Sequence, residues 1–572
     1  MMIETDKGAV RDIMESDTRI PPARQQPQKD RDVTTLDRVI QIGTAYTRSI
    51  NLTRDADAPD LIRAYVPTSR AIQALGRMAD GLSAGTHQRA VALIGPYGTG
   101  KSVFGLFAAA VLSEPAAEQH SAAMGVLETA DPKLAARFRT ARPNGRGFLR
   151  VAINGIPDSL VRQLMLGLAL AVEQAGLPAA LIDDVLAAAQ PGTPMDHVLH
   201  LIGRVQRAWA HAGGTGVLIE IDELGKFLEY ESYHPQHREI HLLQLLAEHA
   251  QAASVAPLYL LVMLHQAFEY YSQRLGKQLR DEWQKVQGRF ESIAFIEPAE
   301  QSLHIVGAAF ERTAPLPQSL CAQLDRITDA LERHGALPVG LDTTQARALF
   351  ERCYPLHPIT LLILPTLCQK VAQNERTLFS YLGSAEPFGL RERLGRLRMG
   401  DWIGPWELYD YFILNQSGSV SDPLTYHRWV EVITALERFD SAPDDPAVDL
   451  LKTIGLLNLI GAQRGLKASE PLLRLLFDET TPDLLRRLQA VSTIHFRSYS
   501  QEWRVWQGSD FDLAAALREA TAEQAQLSLV DTLNASYCQI WCMTMGPEFD
   551  QAASRCSSWV SGGSSDTGIP SS

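Results

Sequence analysis

Apolar residues fall into two alternating patterns over the first half of this chain. Short, nearly unbroken apolar runs stand at Val91–Ile94, Phe148–Asn154, Val217–Ile221, Leu258–Leu264 and Ile293–Ile296. Runs of that length predict strands covered on both faces. Between them apolar positions recur three or four residues apart. Ala71, Leu75, Met78 and Ala79 share one face of a helix predicted over Arg70 to about Leu82. Leu160, Leu164, Leu168 and Val172 do the same from Asp158 to about Gln174. Helix is also expected from Leu36, over 115–140, over 179–212, and through His237 to His249. Strands alternating with helices predict an α/β fold with a parallel, helix-covered sheet.

From Ala299 the strand pattern stops. Residues 301–400 read as helices broken at Pro315, Pro317, Pro355, Pro358 and Pro365, with a basic cluster at Arg391, Arg393, Arg396 and Arg398. Over 401–512 four short helices run into two alternating strands, Thr493–Ser498 and Glu502–Trp506. Helices followed by a hairpin is the sequence shape of a winged helix. Residues 1–34 mix charge, Gln and Pro and read as a disordered tail. Residues 513–572 open with a helix and then lose periodicity. From Ser536 the chain carries Cys538, Cys542, Cys556, Trp541 and Trp559 among serines, which reads as a longer protein cut short.

The chemistry starts at the first strand. Gly95-Pro96-Tyr97-Gly98-Thr99-Gly100-Lys101-Ser102 fits G-x-x-x-x-G-K-[ST] between an apolar run and a helix-like run opening at Val103. Such a loop turns successive N–H groups toward phosphate oxygens, and the following helix adds its N-terminal partial charge. Lys101 is placed to reach the β- and γ-phosphates of ATP, and Ser102 to ligate Mg²⁺. Further on, Val217–Ile221 ends in Asp222-Glu223. Carboxylates at the C-terminal end of such a strand suit a Mg²⁺-holding Asp222 and a general base at Glu223. Glu220, inside the strand, requires a polar neighbour. The Leu258–Leu264 strand ends in His265-Gln266, where a polar side chain can reach the γ-phosphate. Tyr65 and Thr68, ahead of the loop strand, are candidates to wrap the base or simply to pack a turn.

Composition narrows the classes. The formal net charge of −13 argues against a surface built wholly for nucleic acid, though not against a local patch. The Leu258–Leu264 run is far too short for a bilayer span, so no membrane partner is expected. No C-x-x-C pair or apolar leader is present, and the expectation is a reducing, cytoplasmic location. His237 and His241 lie four apart, but no close third ligand accompanies them, which favours a solvated helix face over a metal site.

The loop, the acidic strand, the polar-ended strand and then Gly288-Arg289-Phe290 before a last strand resemble the AAA+ ATPases, nearest the origin-recognition-like branch. The resemblance implies a P-loop core over 35–300, a helical lid over 301–400 and a winged helix over 401–512. It implies that Arg289 is an arginine finger offered to a neighbouring copy, hence a homo-oligomer. It implies that His265 or Gln266 is the sensor residue of that strand, and that Arg376 is a second sensor in the lid. Ile221–Glu229, Tyr354–Pro358 and Gln373–Ser380 are similar to segments of large prokaryotic ATP-binding proteins of BREX-like anti-phage loci.

Two function classes follow. One is an ATPase that remodels a nucleic-acid or protein partner. The other is a switch in which ATP occupancy, with little turnover, positions the winged helix. Ser469–Phe477, its recognition-helix position, is mostly Leu with one Arg474. Lys467, Arg497 and Arg504 could touch phosphates only, so DNA and protein remain equally open as partners.

Overall fold

The computed structural model describes residues 35–47, 50–82, 88–96, 98–141, 145–234, 239–252, 256–266, 285–371, 378–414, 423–460 and 465–506. They belong to one compact unit that ends at Trp506. Tyr97, His237, Arg376 and the two terminal segments lie outside the described residues.

The chain is α/β, with a five-stranded parallel sheet of P-loop type. Five strands, β2 (Ala90–Ile94), β3 (Phe148–Asn154), β4 (Gly216–Asp222), β5 (Leu258–Leu264) and β6 (Glu291–Ala294), pair in the order β3-β4-β5-β2-β6. Their side chains alternate between two cores. Val217, Ile219, Ile221, Leu260 and Val262 pack with the helices Leu160–Gln174 and Met195–His211. Leu218, Tyr259, Leu261 and Met263 pack on the other face with the helices Ser69–Leu82 and Lys101–Leu112. Both faces are covered, which is why these strands read as continuous apolar runs.

Glu220 interrupts that pattern and is fully buried. Its partner is Arg150 on β3, whose Nε donates to Glu220 Oε2 at 2.6 Å. Burial pushes the Glu220 carboxyl above its ordinary range, and Arg150 pulls it back. Glu220 Oε1 and Arg150 Nη2 are buried without a hydrogen-bond partner.

Four expectations are corrected. The segment from Leu36 is not a helix but a short 3₁₀ turn followed by β1 (Ile40–Ile42). Strands do not stop at Ala299, because β7 (Phe310–Arg312) pairs antiparallel with β1. Three-residue strands joined across such a sequence distance leave no local period to read. The last core strand starts at Glu291 rather than Ile293, with Glu291 held by Arg77 at 2.9 Å and Ile296 already 47% exposed. The Leu160–Gln174 helix begins two residues later than expected because Ser159 caps it, accepting from Arg162 N–H.

Beyond the sheet, helices from Ala299 to Ala490 and the hairpin of β8 (Ile494–Arg497) and β9 (Glu502–Val505) share one hydrophobic core. Leu331 and Leu367 belong to it together with Leu450, Leu473 and Val505. Asn458 fastens the hairpin: its Nδ2 donates to Trp503 O, and its Oδ1 accepts from Val505 N–H. The helix expected at Ser469–Phe477 runs Glu470–Phe477 and buries Leu472 and Leu473, while Arg474 pairs with Glu470 and Glu479. Arg504 is taken by Glu502, and Lys467 Nζ by Ser500 O. The basic cluster is likewise engaged: Arg393 grips Glu407, and Arg396 pairs with Glu392.

The helix Pro358–Val371 is anchored at both ends. His357, just ahead of it, is 3% exposed. Its Nδ1 accepts from Ile359 N–H, so Nε2 carries the proton and donates to Leu475 O at 3.2 Å. At the other end Lys370 Nζ donates to Leu459 O and Ile460 O, the last carbonyls of the helix Pro446–Ile460.

Two stability predictions follow. Burial lowers the His357 pKa to about 3, against about 6.5 in an unfolded chain. The folded state keeps the ring neutral, so its contribution is full above pH 6.5 and is lost as pH falls toward 3. The slope approaches about 1.4 kcal/mol per pH unit for one proton. Denaturant unfolding between pH 6.5 and 4.5 should therefore show wild type weakening more steeply than His357→Gln; parallel curves would discount the ring. Separately, Arg150→Met strands a buried carboxyl and should cost about 3–5 kcal/mol, whereas Arg150→Met with Glu220→Met should recover most of it. The same unfolding measurement, run at neutral pH, decides this.

Candidate functional site

The C-terminal ends of β2, β5 and β4 lie side by side, and a cavity of about 750 Å³ opens over them. Pro96, Gly98, Thr99, Gly100, Lys101, Ser102 and Val103 line one wall, with Asp222, Glu223 and His265 beside them. Local geometry explains each placement. Gly98 and Gly100 turn the loop at φ 74° and 85°, a region that residues with a β-carbon avoid. Gly95 sits so close to β6 that a β-carbon would come within 2.4 Å of Phe295 O. Gly100 then starts the helix Lys101–Leu112, whose first N–H groups face the cavity end.

Lys101 is buried. Its Nζ donates to Gly95 O at 2.6 Å and Pro96 O at 2.8 Å. Burial lowers its pKa to about 8, while Asp222 and Glu223 act in the opposite sense. Burial raises the Asp222 pKa, opposed by hydrogen bonds from the Ser102 hydroxyl and Glu223 N–H. The Ser102 hydroxyl and Asp222 carboxylate therefore meet. Hard oxygen donors of this kind, one of them a carboxylate, suit Mg²⁺ shared with phosphate oxygens. Burial and nearby Lys101 hold His265 below its usual pKa, favouring the neutral ring. Glu223 follows β4 at φ 48° and ψ 42°, a left-handed backbone that costs about 1–2 kcal/mol.

Away from the loop the cavity is apolar and aromatic. Tyr46, Ile50, Leu61, Tyr65, Ile305 and Phe379 line it. Tyr46 and Phe379 stack with centroids 6.4 Å apart. Tyr65 lines the cavity but leans on Phe107 at 4.5 Å. Thr68 also lines it, with its hydroxyl donating to Glu297 Oε1.

Arg289 is not part of this cavity. It pairs with Glu248 at 3.0 Å, just before β6. β6 runs parallel to β2, with Val91 opposite Glu291, so Arg289 stands near the other edge of the sheet, roughly 17 Å away by strand rise. Sequence reasoning missed Tyr46, Phe379, Lys226 and Gly155. Lys226 had a signal, three residues after Glu223 on a helix. Tyr46 had none, since only the fold brings it to the cavity wall.

No family model matches the chain, and no curated protein does. Among solved structures the ORC2 protein of Aeropyrum pernix, in ADPNP–ADP complexes, is similar at a TM-score of 0.27 and 12% identity, over 85% of this chain and 100% of that one. A likeness of that size says nothing of activity, so the site's own geometry carries the functional reading.

Proposed function

We propose that this chain binds ATP with Mg²⁺ and hydrolyses it. The observation that carries this reading is the meeting of Lys101, Ser102, Asp222 and Glu223 in one cavity at the ends of adjacent strands. Lys101 leaves the loop carbonyls to meet the β- and γ-phosphates. Ser102 and Asp222 hold Mg²⁺. Glu223 polarises the attacking water. His265 contacts the γ-phosphate or that water. Arg289, remote from its own cavity and half-exposed, serves a neighbouring copy's nucleotide in a homo-oligomer.

Hydrolysis on this reading remodels a partner, nucleic acid or protein, through the helices beyond Ala299 and the hairpin read as a winged helix. The segments at 221–229, 354–358 and 373–380 support a place in anti-phage defence. A binding switch with little turnover is the second reading. It is favoured by the single core joining the cavity-lining helices to the hairpin, because occupancy alone could move that body.

Turnover separates the two. Lys101→Ala should lose nucleotide binding, and Glu223→Gln should bind ATP yet turn over at least about a hundredfold more slowly. Normal turnover by Glu223→Gln removes the base assignment. Arg289→Ala should lose about 10³-fold in rate, and mixing it with Glu223→Gln protein should restore activity at mixed interfaces. Full turnover by a monomeric Arg289→Ala protein ends the finger assignment.

A further inference from the structure

Glu223 holds a left-handed backbone although it carries a full side chain. Such a conformation persists where neighbours over-determine it. Here the constraints come from two directions. On its own segment, Glu223 N–H donates to Asp222 Oδ1 at 2.9 Å, and Lys226 N–H donates to Glu223 O at 3.0 Å. The Lys226 ammonium closes the turn by donating to Glu223 Oε2 at 2.5 Å.

From the adjacent strand comes Gly155, one residue past β3. Its N–H donates to Asp222 O at 2.9 Å. A β-carbon there would stand 2.3 Å from Glu223 O and 2.9 Å from Glu223 Cβ. Gly155 is not among the positive-φ residues, so glycine supplies room here rather than conformational freedom. Strand pairing explains the closeness: Asn154 lies opposite Asp222, so the next residues, Gly155 and Glu223, run on together.

We propose that Gly155 and Lys226 are positioning residues for the general base. Gly155 makes the space that the left-handed turn needs, and Lys226 fixes the carboxylate by one oxygen and leaves the other for water. The proposal rests on the hydrolytic reading above. Gly155 lies outside both the loop and the cavity lining, whereas Lys226 lines the cavity with its ammonium on Glu223, so the chemical step should lose more than nucleotide affinity does.

The test uses the full chain with Gly155→Ala, Lys226→Met and Lys226→Arg. A fluorescent ATP analogue gives affinity, and phosphate release at saturating ATP gives kcat. Gly155→Ala should lower kcat about a hundredfold, the scale of an ångström-sized misplacement, and Lys226→Met about tenfold. Affinity should change by less than about threefold in Gly155→Ala and by less than the rate does in Lys226→Met, and Lys226→Arg should recover most of the rate. If Gly155→Ala does not fold, the half-exposed Lys226 decides alone. Unchanged or faster turnover by Lys226→Met, no rescue by arginine, or matched losses of affinity and rate overturn the proposal. A wild-type protein that binds the analogue but never releases phosphate overturns the hydrolytic reading, and this proposal with it.

Discussion

The register of β2, β5 and β4 is the constraint on which the site depends. Ile94 pairs with Leu264, and Ile221 with Val262. Each strand therefore ends within a residue or two of its neighbour, and whatever follows is delivered to the same edge. Gly95 follows the first, His265 the second, and Asp222 closes the third. Side chains alternate along a strand, so a one-residue slip would turn Asp222 into the opposite core. Two apolar cores, one on each face, hold the register against such a slip.

The same register explains the charge buried beneath the site. Glu220 and Asp222 lie on one face of β4, two residues apart, and Arg150 lies on that face of β3. The pair sits against the helix that starts at Lys101: a β-carbon on Gly105 would come within 3.3 Å of Glu220 Oε1. A buried ion pair is weak evidence for stability, since apolar replacements often match it. Its coupling to the cavity runs inward, because the Asp222 charge is among the influences that raise the buried Glu220 carboxyl. The strand thus carries two carboxylates in different settings, one sealed beside Arg150 and one at the cavity.

Much of this was legible in the sequence, and the limits have physical causes. The loop from Gly95 to Ser102 and the acidic end of β4 announce themselves because backbone and side-chain demands fall within a few adjacent residues. The sheet was legible because both of its faces are covered. Glu220 was visible as an anomaly, but its partner is 70 residues away, and only strand pairing connects them. β1 and β7 were misread because their pairing joins distant segments. The apolar end of the cavity was illegible for the same reason: Tyr46 and Phe379 face each other only after the whole core has folded. Arg376 and Tyr97 fall outside the described residues, so their expected roles stand where the sequence left them.

One consequence reaches beyond the cavity. Pro365, Cys368 and Gln369 line it, and they belong to the helix Pro358–Val371. His357 ties that helix to Leu475, and Lys370 ties it to Leu459 and Ile460. Leu367 of this helix and Leu450 of the next module share one core. Tilting one helix without the other would open voids at about 24 cal/mol per Å³ and would break both polar anchors. The path of least cost is for these helices and the β8–β9 hairpin to move as a body. A movement of the wall beside Gln369 would on that path reach Tyr499, 82% exposed at the hairpin's turn. A hinge between cavity wall and hairpin would dissipate it; among the described residues one continuous core joins the two instead.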